Sequence, residues 1–170
     1  MFNRETFDSL HDLFVHELKD LYDAEQRVLD TLPAMKDAAT SPDLVEVLEA
    51  ARVASEAQKG QLEKVFASLS LEPQRESCPA MKGIVDEASH LMKAYGDDAS
   101  RDAAIISSIN RIQHYEIAGY GTLKAFANEL GYADAAKTLD RNLKAGYVID
   151  RAATVLAKHR VNQNAAAAIE

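Results

Sequence analysis

Apolar residues recur every three or four positions along four long segments of this chain, and very little interrupts them. That period belongs to a helix buried along one face and not to a strand, whose faces alternate every second residue. The first segment, from about Asn3 to Ala38, has the stripe Phe7, Leu10, Phe14, Leu18, Leu21, Val28 and Leu32, with a kink expected at Pro33. The second opens at Ser41-Pro42-Asp43, a cap, a first-turn proline and an acid for the helix dipole, and runs to about Leu69. Ser70 to Pro79 reads as a loop, and Ala80 to Tyr95 as a shorter helix ended by Gly96-Asp97-Asp98. A third long helix is expected from a Ser100 cap to Leu130, with Gly131 as a left-handed terminator. A fourth follows at once, from Tyr132 to about Arg160.

The chain therefore reads as all-α, a single helical-bundle domain over residues 1–160, with 161–170 as a frayed tail that has no apolar face to pack. The short link between the third and fourth long helices makes them antiparallel neighbours. The long stretch between the second and third is enough to return along the whole bundle, which is a one-crossover, four-helix topology with an extra short helix in the crossover. At 47% apolar residues, a chain of 170 can build this core without disulfides or metals.

Charge and cysteine content narrow the partners. A net charge of −8 disfavours nucleic acid and anionic membranes, which need clustered Lys and Arg. Cys78 is the single cysteine, so no intramolecular disulfide framework exists, although an exposed thiol could still join two chains. The N-terminal residues MFNRETFDSLHDLF lack the basic and then apolar pattern of a secretion signal, and no stretch is long enough to span a bilayer. A cytoplasmic location is expected.

Carboxylates stand where leucines should be. At about 100° per residue, Glu25 falls within the apolar arc of the first helix, Glu116 between Ile109, Ile112 and Leu123, and Asp150 between Leu139, Leu143 and Ala153. Buried, unpaired carboxylates cost several kcal/mol each, so a metal ion, basic partners, tyrosine hydroxyls or shared protons must compensate. On the second helix Ser55 and Gln58 lie in line with the apolar stripe. Glu56 lies at its edge, within an alternating-charge ladder of Glu49, Arg52, Glu56, Lys59 and Glu63. Tyr22 and Tyr120 flank the same faces within a turn of Glu25 and Glu116. His114 points away from Glu116, toward the surface. None of the four long helices carries a Glu-x-x-His pair, the usual mark of a bundle di-iron site, and there is no phosphate loop, nucleophile elbow or Cys-x-x-Cys.

The segments HYEIAGYGTL (114–123), ELGYADAAKTL (129–139), LFVHELKDLYDAEQ (13–26), SEAQKGQLEKVF (55–66) and CPAMKGIVDEA (78–88) resemble the YciE/YciF-type ferritin-like proteins of bacteria, over nearly the whole chain. The resemblance implies an antiparallel four-helix bundle, a homodimer, and stress-associated expression. It also implies a dinuclear metal site with one acid on the first helix and a pair on each of the others. Against that pattern the chain keeps Glu25, Glu56, Glu116 and Asp150, while Val53, Gln113 and Gly146 stand where further acids are expected. One carboxylate per helix is too few for two metals, but could hold one Fe or Mn ion, with Gly146 leaving room for a water. The leading expectation is a degraded site that binds at most one metal weakly. The alternatives are a working metal-dependent oxidase or iron-handling protein, and a purely structural or partner-binding dimer. The crossover helix, with Met81, Leu91 and Met92, is a candidate for the dimer surface.

Overall fold

The computed structural model describes residues 6–94 and 96–167, and every regular element among them is helical. In chain order these are α1 (Leu10–Ala38), α2 (Pro42–Ser68), α3 (Pro79–Met92), α4 (Asp98–Glu129) and α5 (Ala133–Leu156), then a π turn (Ala157–Val161) and α6 (Asn162–Ala167). None is long and apolar enough to cross a membrane.

Local chemistry sets the boundaries. α1 starts at Leu10, later than expected, because Ser9 caps it: the Ser9 hydroxyl accepts from the Asp12 amide at 3.1 Å and donates to the Asp12 carboxylate at 2.8 Å. Phe7 therefore precedes the helix and is exposed, while Asn3 lies outside the described residues. α1 continues through Pro33 to Ala38. α4 likewise begins at Asp98, before Ser100, because Asp97 accepts from the Ser100 amide at 2.9 Å. It stops as expected at Gly131, whose φ of 74° is a conformation that a Cβ disfavours. There the Tyr132 amide reaches back to the Ala127 carbonyl at 2.8 Å and the Gly131 amide to Asn128 at 3.2 Å, as in a Schellman terminator.

The start of α2 is built differently from the expected serine cap. Ser41 makes no side-chain cap bond. Instead Asp102 of α4, buried at 3% exposure, accepts from the Thr40 amide at 2.8 Å, the Thr40 hydroxyl at 2.9 Å and the Ser41 amide at 2.8 Å. The α1–α2 turn is thus fastened from across the bundle.

α1 packs on α2 and α4, and α5 packs on the same two helices from the other side. α3 lies over α1 and α4, where the fully buried Met81 joins the core and is unavailable to a second chain. Phe14, Leu18, Leu62, Phe66, Ile105, Ile109 and Leu139 fill the interior. Each such side chain contributes roughly 1.5–3 kcal/mol through burial. Beyond Arg160 the chain stays helical to Ala167: Val161 is buried, and α6 lies against α4 with its own residues exposed or half-buried. The expected end of the crossover helix at Tyr95 lies outside the described residues, and α3 ends at Met92.

A buried carboxylate pair as the candidate functional site

Two of the four carboxylates picked out from the sequence meet inside the bundle. Glu25 of α1 and Glu116 of α4 are both fully buried. The Tyr120 hydroxyl, one turn beyond Glu116, donates to Glu25 Oε1 at 2.5 Å, and the Gln113 amide, one turn before it, donates to Glu116 Oε2 at 2.8 Å. The Ser55 hydroxyl of α2 is close enough to Glu25 to favour its charged form but lies outside hydrogen-bond geometry. On the other side of each acid, Glu25 Oε2 and Glu116 Oε1 are buried with no hydrogen-bond partner, as are Ser55 Oγ, Gln113 Oε1 and Asn142 Oδ1.

Among the described residues no basic side chain neutralises the pair. Arg52 turns outward to Glu49 and Glu56, and Lys59 sits over the Tyr22 ring and near Glu63. Burial consequently raises the Glu25 pKa to about 7, against the smaller opposing effect of the Tyr120 hydrogen bond. Burial and then the nearby Glu25 charge push Glu116 well above the usual carboxylate range. Burial also pushes the Tyr120 phenol up, so Tyr120 keeps its proton and acts as a donor. Both acids are thereby driven to hold protons at higher pH than ordinary carboxylates.

The other two carboxylates lie elsewhere. Glu56 is exposed and bound to Arg52 at 2.5 Å, because Ser55 and Gln58 take the inward positions of α2. Gln58 and Asn142 exchange side-chain-to-backbone hydrogen bonds at 3.3 and 3.2 Å and clamp α2 to α5. Asp150 lies at the edge of α5, its Oδ1 within 3.1 Å of the exposed His114 Nε2, an ion-pair distance when that ring is protonated. The buried face of α5 runs through Asn142, Gly146 and Ile149, turned away from the arc through Leu143 that would have centred Asp150. Among the described residues no three His, Cys, Asp or Glu side chains are placed to hold a metal ion together. The expected room at Gly146 is also taken: a Cβ there would meet Ile117 Cγ1 at 3.2 Å, so the glycine serves the close approach of α4 and α5.

A further buried acid, Asp23, has no counterpart in the sequence reading. It is 3% exposed and accepts from Arg27 Nε at 2.5 Å, Arg75 Nε at 2.8 Å and the Cys78 amide at 2.9 Å. Burial alone would raise its pKa, but the Cys78 amide and the two guanidinium groups outweigh that and lower it. Asp23 thereby pins the loop before α3 onto α1. Cys78 itself is fully buried, accepting from the Met81 amide at 3.3 Å and touching the Tyr115 hydroxyl at 3.0 Å, so it cannot join two chains as folded. Tyr22 donates to Glu63 at 2.8 Å and not to Glu25. The partners Arg75 and Cys78 are distant in sequence, so Arg27 one turn on was the one local signal for Asp23. For Asp102, only its position near a helix start could have drawn attention.

Comparison with known proteins agrees with this architecture. The family described as "Domain of unknown function (DUF892)" matches residues 9–166. Protein YciF of Escherichia coli K12 is 34% identical over 158 residues, covering 92% of this chain and 95% of YciF. The crystal structure of that E. coli stress protein superposes with a TM-score of 0.88 at 33% identity, covering 92% of this chain and 99% of YciF. YcfI of Rhodopseudomonas palustris superposes with a TM-score of 0.86 at 35% identity, covering 91% and 98%. The protein XCC3681 of Xanthomonas campestris, at 16% identity and a TM-score of 0.63 over 92% and 99%, shares the fold alone. The chain belongs to the DUF892 family and is a homologue of the bacterial stress protein YciF.

Proposed function

We propose that this protein is a ferritin-like, stress-associated four-helix-bundle protein of the cytoplasm, whose central site is reduced to a carboxylate pair that holds shared protons or, at most, one cation. The observation that carries the reading is the pair itself: Glu25 and Glu116 are fully buried, have no basic partner among the described residues, and each present one oxygen with no hydrogen bond. The neighbouring Gln113 Oε1, Ser55 Oγ and Asn142 Oδ1 are free as well. A donor set of oxygens with two negative charges suits one hard or borderline divalent ion such as Mn or Fe. Glu25 and Glu116 would hold it, and such an ion would supply charge neutralisation and Lewis acidity. A second ion is poorly served, because Glu56 is tied to Arg52 on the surface and Asp150 faces His114. Fast dinuclear oxygen chemistry is therefore not part of this reading.

The residues themselves compete with any cation. Tyr120 holds Glu25 by donating to it, and Gln113 does the same for Glu116, so both acids stay oriented whether or not a metal is present. Their raised pKa values mean that a cation must displace a proton and binds weakly in acid. A structural role is the second reading, favoured by the orientation of the pair without metal and by the structural role suggested for the R. palustris relative. Elemental analysis and Mn or Fe titration of protein purified without chelator test the proposal. At most one equivalent should bind, and E25Q and E116Q should each lose it. Two irons per chain with oxygen-dependent oxidation would restore a working oxidase or iron-handling protein. No binding by the wild type would leave the structural reading.

A further inference from the structure

Along the outer edge where α4 meets α5, polar side chains pair in one antiparallel register, and the two acids of α5 on that edge fare differently. Lys124 of α4 meets Asp140 at 2.7 Å and Lys144 reaches the same acid at 2.7 Å, so its charge is matched. Further along, His114 meets Asp150 and Asn110 meets Thr154. No lysine or arginine closes this end: among the described residues, His114 is the one ion-pair partner of Asp150.

The donors here are close without being bonded. His114 Nε2 and Asp150 Oδ1 lie 3.1 Å apart, yet Oδ1 is buried and accepts no hydrogen bond, so the ring nitrogen is not aimed at it. Asn110 Oδ1 is likewise buried without a partner, and the Asn110 amide reaches the Thr154 hydroxyl only at 3.5 Å, the limit of a hydrogen bond. Two unpaired buried oxygens in one seam leave a desolvation cost uncompensated. Asn110 and His114 stand four residues apart on α4, as do Asp150 and Thr154 on α5, so all four line one groove. Gly146, one turn before Asp150, keeps that groove narrow, since a Cβ there would meet Ile117 Cγ1 at 3.2 Å.

Two donors 3.1 Å apart whose lone pairs converge on a third point, and not on each other, are placed as ligands of one cation. With bonds of about 2.1 Å, that separation subtends about 95° at the ion, between octahedral and tetrahedral values. We propose that His114 and Asp150, with the Asn110 and Thr154 oxygens beside them, form an outer divalent-cation site of zinc-type preference between α4 and α5. An imidazole nitrogen, one carboxylate and two neutral oxygens suit zinc better than magnesium or calcium. The exposed His114 leaves room for water to complete the shell. The site is distinct from the central carboxylate pair, and Mn or Fe, which bind imidazole sites more weakly than zinc, are left to that pair.

Zinc titration by calorimetry on the tag-free, full-length E25Q/E116Q chain, whose central pair is disabled, should give one equivalent at a Kd on the order of 10 μM. H114A and D150N should each weaken binding at least about 10-fold, and N110A about 3-fold, with the melting temperature unchanged. H90A, at an exposed histidine of α3, should change nothing. In the wild type, the His114 imidazole NMR signals should shift on adding zinc and stay in place in D150N, a readout that does not depend on the central pair. A folded E25Q/E116Q chain that takes up no zinc at about 200 μM would overturn the inference. So would an equivalent that survives H114A or D150N, or wild-type His114 signals that zinc leaves unmoved.

Discussion

Asp23 and Glu25 stand two residues apart on α1, are buried to nearly the same degree, and have opposite electrostatic fates. Asp23 faces the crossover and meets two guanidinium groups and a backbone amide, which hold its pKa down. Glu25 faces the bundle interior, meets a tyrosine hydroxyl and a second acid, and has its pKa raised to about 7. Burial is common to both, so the difference comes from what each acid faces. The first is a completed structural joint. The second has unused bonding capacity and is the place where a proton or a cation can still be exchanged.

The contrast predicts opposite responses to mutation and pH. The largest effect is expected at the completed joint. Asp23→Ala strands the Cys78 amide and two arginines and should cost about 3 kcal/mol in chemical denaturation, with faster amide exchange in the loop before α3. An unchanged stability would mean that the loop is held by packing alone. Next, Tyr120→Phe removes the donor to Glu25 and should cost about 2 kcal/mol. Glu116→Gln should do the reverse. A carboxyl whose folded pKa is raised keeps a proton that the unfolded chain has lost, so stability falls as pH rises from the ordinary range through the folded value. Replacing Glu116, whose pKa lies well above that range, should stabilise the bundle by about 1–2 kcal/mol near pH 8 and by nothing near pH 4. Destabilisation at every pH would show that a cation or donor relied on that carboxylate. For Asp23 the sign is opposite, because its lowered pKa gives stability that is present at neutral pH and lost in strong acid. The smallest effect belongs to Glu56→Ala, which should leave both the melting temperature and any metal affinity unchanged, since Glu56 pairs with Arg52 in solvent.

The long helices, the crossover helix and the Gly131 stop could be read from periodicity and punctuation, because each is decided within a few neighbouring residues. Starts were less legible. At α1 and α4 the nearest plausible signal competed with the Ser9 and Asp97 caps that form. The central pair was also legible, since Glu25 and Glu116 each sit amid large apolar side chains that fix the face. Asp150 was misplaced because the inward face of α5 is made of Asn142, Gly146 and Ile149, two of which a hydropathy wheel does not count. Glu56 turned out for the complementary reason: polar Ser55 and Gln58 hold the inward positions. Asp23 and Asp102 depend on partners in distant turns, and the only local traces are Arg27 one turn beyond Asp23 and the place of Asp102 near a helix start.

The Asp102 fastening also bears on the order in which the chain folds. Helices α1 and α2 are adjacent in sequence and could associate early, yet the amides of their turn find their acceptor only on α4, some sixty residues later. Until α4 docks, those N–H groups must stay hydrated, so an isolated α1–α2 hairpin lacks its closing contact. We predict that the transition state for folding already includes the start of α4, and that Asp102→Ala slows refolding more than it speeds unfolding. Stopped-flow chevrons in which only the unfolding arm moves would place the closure of this turn after the rate-limiting step.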